Sequence, residues 1–170
     1  VLFVESLSAD VRTLEARPVQ GDIVLDGFLN EPAWERVPAA TDFTQREPAA
    51  GAAATEPTEV RVAFTPAMLY VGIRALDSEP RAVTAKEMRN DAPLFQDDAV
   101  AILLDTFLDR RNGYLFETNA NGARAEGLIS DEGDSVNMEW DGVWQVAARR
   151  TEDGWAAEMA IPFSTLRFAP

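Results

Sequence analysis

The chain has 170 residues, with 29 Asp plus Glu against 15 Lys plus Arg and a formal charge of -14. Phosphate backbones and anionic lipid surfaces need clustered cations, so nucleic acid and anionic membranes are excluded as partners, while divalent cations and neutral polar ligands fit. With no Cys and no His, disulfides, thiolate nucleophiles, Cys or His zinc sites, imidazole bases and Ser-His-Asp triads are excluded too.

The hydrophobic fraction is 46% and the charged fraction 26%. That is the balance of a folded globular domain, and residues 1–170 are expected to form a single one. No apolar run approaches the ~20 residues of a membrane-spanning helix. The opening Val1–Leu7 is apolar, short and without a basic flank. It reads as a strand or a chain edge rather than a signal peptide.

In chain order, Asn30–Glu35 predicts one helical turn, with Asn30 as the cap, Pro32 in the first turn and Trp34 plugging an end of the fold. Arg46–Pro57, rich in Ala, Gly, Pro and Glu, reads as an exposed loop. Period-2 alternation then dominates. Val60, Val62 and Phe64 share one face of Thr58–Phe64, and Leu69, Val71, Ile73 and Ala75 one face of Met68–Ala75. With Thr65-Pro66-Ala67 between them, the two runs predict a hairpin. Lys86 and Met88 sit on a further predicted strand.

Ala99–Leu104 is apolar at every position, which predicts a central strand covered on both faces. Tyr114–Asn119 and Ala123–Ile129 predict a pair joined at Asn121-Gly122. Val143–Arg150 and Gly154–Ile161 predict another across Asp153-Gly154, with Trp155, Ala157, Met159 and Ile161 inward and Glu158 outward. Ser164-Thr165-Leu166 predicts a final helical turn. Many short strands and almost no helix make an all-β, antiparallel β-sandwich, of jelly-roll type, the expected fold; an up-and-down barrel is the alternative.

Carboxylates gather at predicted strand ends. Asp97, Asp98, Asp105, Asn119 and Asp131 are the candidate ligands for a structural calcium, which takes six to eight oxygens. None of the runs has EF-hand spacing. A glycosidase would need two carboxyls facing across a cleft. Asp97 and Asp98, adjacent on a strand, point apart and make no dyad. Lys86 beside Met88 reads as surface, so neither haem nor zinc is expected. Among aromatic residues, Trp144 and Trp155 fall in phase with the core. Phe95 and Trp140 lie in acidic loops and are the candidate stacking platforms for a ring-shaped polar ligand. Arg89 and Asn90 are their candidate hydrogen-bonding neighbours.

These segments together resemble family 9 carbohydrate-binding modules and their relatives. Ile23–Trp34 (IVLDGFLNEPAW) is similar to that family's LDGxLDEPxW opening. Val60–Asp77, with its LYVGI core, Asp98–Asp105 (DAVAILLD) and Gly154–Pro162 (GWAAEMAIP) resemble its later motifs in order. Asp105–Tyr114 and Asp141–Trp144 resemble the subgroup found as the N-terminal domain of bacterial proteins with an outer-membrane β-barrel. The resemblance spans about residues 19–168. It implies a β-sandwich, sugar binding without catalysis, and structural calcium. In sugar-binding members an aromatic wall precedes the central strand, an acidic residue lies within it and an Arg lies on the next strand; the matching positions here are Phe95, Ala101 and Glu117. It also implies an excised piece of a longer chain, placed in the bacterial envelope on the periplasmic or cell-surface side of the outer membrane. The expected function is therefore a non-enzymatic glycan-binding module. The alternative is a domain that keeps the sandwich, has lost sugar binding and docks to a C-terminal outer-membrane barrel of the same chain.

Overall fold

The structure, a computed structural model, describes residues 13–21 and 23–168. The expectation for Val1–Leu7 lies outside the described residues. Ten strands follow in chain order: β1 (Arg17–Pro18), β2 (Ala39–Ala40), β3 (Thr58–Phe64), β4 (Met68–Leu76), β5 (Ala99–Leu104), β6 (Gly113–Asn119), β7 (Arg124–Ser130), β8 (Ser135–Asn137), β9 (Gln145–Thr151) and β10 (Gly154–Pro162). Among the described residues, helix is confined to α1 (Pro32–Glu35) and two 3-10 turns at Asp131–Gly133 and Phe163–Thr165.

Two sheets face each other as a β-sandwich. The larger runs β1-β3-β4-β10-β9 with β2 also on β3, and the smaller runs β5-β6-β7-β8. All pairs are antiparallel except β1 with β3, which is parallel. The three predicted hairpins form. In β9–β10, Thr151 pairs Gly154 around a two-residue loop. In β6–β7, Gly122 takes φ +78°. In β3–β4, the Thr65 N–H donates to Met68 O at 2.9 Å.

Alternation decides which side chains meet between the sheets. Val71, Ile73, Tyr114, Phe116, Trp144, Trp155, Met159 and Ile161 are buried there, joined by Val100, Ile102 and Leu104. Trp144 and Trp155 sit in this core as their phase predicts. A second cluster lies outside the larger sheet, where Ile23, Trp34 and Val37 cover Ala63, Tyr70 and Ala160.

Several expectations are corrected. The doubly covered strand is β10, buried from Gly154 through Ile161; β5 lies at a sheet edge, with Ala101 exposed and Leu103 64% exposed. An unbroken apolar run signals two apolar faces, not two covering layers. Trp34 does not plug an end. It packs on the outer side of the larger sheet, where a Cβ on Gly72 would come within 3.1 Å of its ring. The cap position of α1 is Glu31, without a side-chain cap bond, rather than Asn30. No strand forms at Lys86–Met88.

Candidate functional site

The inner face of the smaller sheet is committed to the core, so what it offers to solvent is its outer face. Register places Ala101 and Leu103 of β5, Leu115 and Glu117 of β6, and Ala125 and Gly127 of β7 on that side: Ala101 pairs Glu117, which pairs Ala125, and Leu103 pairs Leu115, which pairs Gly127. Part of the face is roofed. Leu94, 2% exposed, packs on Ala125, Ala123 and Ala99. Val136 and Met138 lie over Gly127, so close that a Cβ there would sit 2.9 Å from Val136 Cγ1. The strip over β5 and β6 stays open.

Phe95 follows Leu94 and is 80% exposed. Leu94 is buried on the outer face of the sheet while the Phe95 ring, next in the chain, stands out into solvent. The far end of the strip runs into a recess lined by Leu103, Ile129, Arg110, Arg111 and Glu132. Arg111 Nε lies 3.6 Å from Glu132 Oε1. Glu117 stands half-buried in the strip, and burial raises its carboxyl above the ordinary carboxylate range. No described residue donates a hydrogen bond to it, so its oxygens are available to a polar ligand.

Trp140 is corrected as a platform. Its ring is half-buried and packs 5.2 Å from Tyr114 and 6.1 Å from Phe116. Those contacts pull an aromatic residue in a polar loop into the core. Arg89 and Asn90 are exposed near the Phe95 loop. Arg89 is committed to Glu87, with Nε 3.0 Å and a terminal nitrogen 2.8 Å from its oxygens. That guanidinium, with the backbone N–H groups of Arg89 and Met88, lowers Glu87 to about 2.

Among the described residues, no three of the predicted calcium ligands Asp97, Asp98, Asp105 and Asp131 come within reach of one ion. Backbone N–H groups claim their oxygens. Asp97 accepts from Lys86 and Glu87, both at 3.0 Å, and from Asn119 Nδ2 at 2.8 Å. Those bonds hold it below the ordinary Asp range. Asn119 turns its oxygen to the N–H groups of Asn121 and Ala123. Asp98 accepts from Thr84 N, and Asp105 from Phe107 N, Asp109 N and Arg110 N. Asp131 is exposed at a turn with φ +54°. Asp97, Asp98 and Asp105 are loop clamps, and as a calcium cage the set does not fit.

Residues that sequence reasoning missed are Leu103, Leu115, Arg110, Arg111, Glu132 and Met138. The available signal was alternation in Tyr114–Asn119, which puts Leu115 and Glu117 on one side.

A family model described as "Carbohydrate family 9 binding domain-like" matches residues 25–170. No curated protein matches the chain significantly. Similar solved structures include a candidate carbohydrate-binding protein from Bacteroides uniformis, with TM-score 0.67 at 14% identity, covering 88% of this chain and 72% of that one. A family 9 carbohydrate-binding module from Caldicellulosiruptor kristjanssonii in complex with cellotriose gives 0.60 at 16%, covering 86% and 66%. The module from that organism in complex with glucose gives 0.58 at 16%, covering 91% and 70%.

Proposed function

Because the chain belongs to the carbohydrate family 9 binding domain-like family, we propose that it binds a glycan, without chemistry, along the open strip of the smaller sheet. The observation that carries this reading is the Phe95 ring, 80% exposed and next in the chain to Leu94, which is buried on the outer face of that sheet. A pyranose presents a C–H face to such a ring. Its hydroxyls need buried polar partners, and recognition of a hydroxyl is lost where those are missing.

Glu117 is the partner in this reading. The resemblance expects an acid at the position of Ala101, on β5. Glu117 is the residue directly opposite it on β6, and cross-strand neighbours have Cβ atoms ~5 Å apart. One carboxylate thus stands beside the expected place, supplied by the next strand. In this reading Asn90 and the Arg110–Arg111 recess supply further donors.

The test is calorimetric titration with cellotriose and glucose, followed by a glycan array. Saturable binding that Phe95→Ala weakens tenfold or more supports the reading, and absence of binding to every glycan overturns it. The second reading is a docking domain in the bacterial envelope, against a barrel of a longer chain. It is favoured by the apolar loop after β5, where Leu108 is 88% and Phe107 40% exposed. That reading expects no glycan binding.

A further inference from the structure

Along one side the two sheets do not close. β5 ends the smaller sheet, and β2 and β3 of the larger sheet face it across a gap. Among the described residues, no backbone group of Ala99–Leu104 bonds beyond the ladder with β6. The gap is a cleft of about 900 Å³, inside the range of roughly 300–1,000 Å³ that small-molecule sites occupy. Its apolar lining is Val60, Ile73, Val100 and Ile102, with Leu14 and Phe43 beside them. Val60, Val100 and Ile102 pack on the sandwich core yet are only partly buried. Core hydrocarbon left open to water favours an apolar occupant.

Charge narrows the occupant. Asp42 is the one ionisable side chain among the described residues that line the cleft. No cation stands there to receive an anionic head group, and the whole chain carries a charge of -14. An anion entering the cleft would give up hydration without gaining a partner. Asp42 itself is exposed, so a cationic head group would gain little from it. Position narrows the occupant further. Ala101 lines the cleft and also belongs to the open strip on the outer face of β5 and β6. The cleft therefore opens directly beside that strip.

We propose that this cleft binds the alkyl or aryl part of an uncharged amphiphile. The head group alone rests on the glycan reading. A sugar lying on the strip carries its apolar substituent past Ala101 and down between β5 and β3, which makes the ligand an alkyl or aryl glycoside. Seating the substituent removes apolar surface of both partners from water. The strip then reads the sugar, and the cleft selects glycans by the apolar group attached to them.

Two fluorescent dyes test the cleft. N-phenyl-1-naphthylamine is uncharged, and 8-anilinonaphthalene-1-sulfonate is the same ring system with a sulfonate added. The uncharged dye should bind at least tenfold tighter. Octyl glucoside, below its micelle concentration, should displace it and should bind at least tenfold tighter than glucose. Phe43→Asp puts a charge on a partly exposed wall. It should weaken the dye and octyl glucoside tenfold or more and leave glucose affinity unchanged. Val143→Ser, at an exposed apolar residue outside the cleft, should change none of these. Thr58→Trp fills the cleft from β3 and repeats the test if Phe43→Asp does not fold by circular dichroism. The proposal is overturned by absence of dye binding, by equal or tighter binding of the sulfonate, or by dye binding that survives the substitutions. Glucose binding with no gain from the octyl chain also overturns it and leaves the glycan reading standing. Dye and octyl glucoside binding without affinity for glucose or cellotriose supports the cleft and overturns the glycan reading.

Discussion

The indole Nε1 of Trp34 donates to Glu158 Oε1 at 2.8 Å, joining α1 to β10 across 124 residues of sequence. The smaller sheet repeats the device, with Trp144 Nε1 2.8 Å from Glu126 Oε2 and Gly142 N 3.2 Å from Glu126 Oε1. Burying a carboxylate costs several kcal/mol. Hydrogen bonds to a charged acceptor contribute about 1.5–3 kcal/mol each. Three such bonds on Glu158 offset only part of its burial, which still holds its carboxyl above the ordinary value, and Trp34 adds the apolar cover that keeps water out.

Glu158→Gln should destabilise the protein by about 1–3 kcal/mol, because the new amide faces the N–H groups of Asp26 and Gly27, donor against donor. Trp34→Phe should cost a similar amount and couple non-additively with it. Urea unfolding midpoints of the two single variants and the double variant check this. Additive losses would mean that the pair does not interact.

Gly154 closes the β9–β10 hairpin at φ +145°, and a Cβ there would lie 2.0 Å from the Ala75 carbonyl oxygen on β4. Gly154→Ala combines a forbidden conformation with a backbone clash, so it should cost about 3 kcal/mol or more. Thermal unfolding reads this directly.

Burial raises Glu117 above its unfolded value. The folded state therefore holds its proton more tightly, and stability falls as pH rises from the ordinary carboxylate range through the raised one. Glu117→Gln should have a higher Tm than the unmutated protein at neutral pH, and the two should converge near pH 4. The same variant should lose glycan affinity if Glu117 accepts from a sugar hydroxyl.

Asp97 has the opposite sign. Its folded value is depressed by the N–H groups of Glu87 and Lys86. Its contribution is present above the ordinary Asp range and is lost as pH falls through the depressed one. Asp97→Asn should speed amide exchange at Lys86 and Glu87 at pH 6 while leaving the central strands protected. The difference in Tm from the unmutated protein should vanish in acid.

Phe95→Ala removes an exposed ring, so Tm should move by less than about 2 °C. Glycan affinity should drop tenfold or more. A large loss of stability with unchanged affinity would mean that the ring packs rather than binds.

Much of this was legible along the chain. Alternation in Thr58–Phe64, Met68–Leu76 and Gly154–Ile161 named the inward residues, and glycines marked the turns at 122 and 154, because a strand has period two and a reversal needs special backbone angles. The motifs from Leu25 to Pro162 indicated the family. What alternation cannot report is the number of layers beyond a face. Ala99–Leu104 therefore read as central although β5 is an edge, and Glu158 read as solvated although a later-packed segment roofs it.

The sequence by itself determined the sandwich, its hairpins, the core phase and the lack of imidazole and thiol chemistry, since each follows from local pattern or composition. Only the tertiary structure decided which carboxylates stand together. Asp97 and Asp105 turned to their own loops because backbone N–H groups lay within a few residues. Asp26, Glu31 and Glu158 converged because folding laid the N-terminal segment across β10, a proximity that no spacing along the chain encodes.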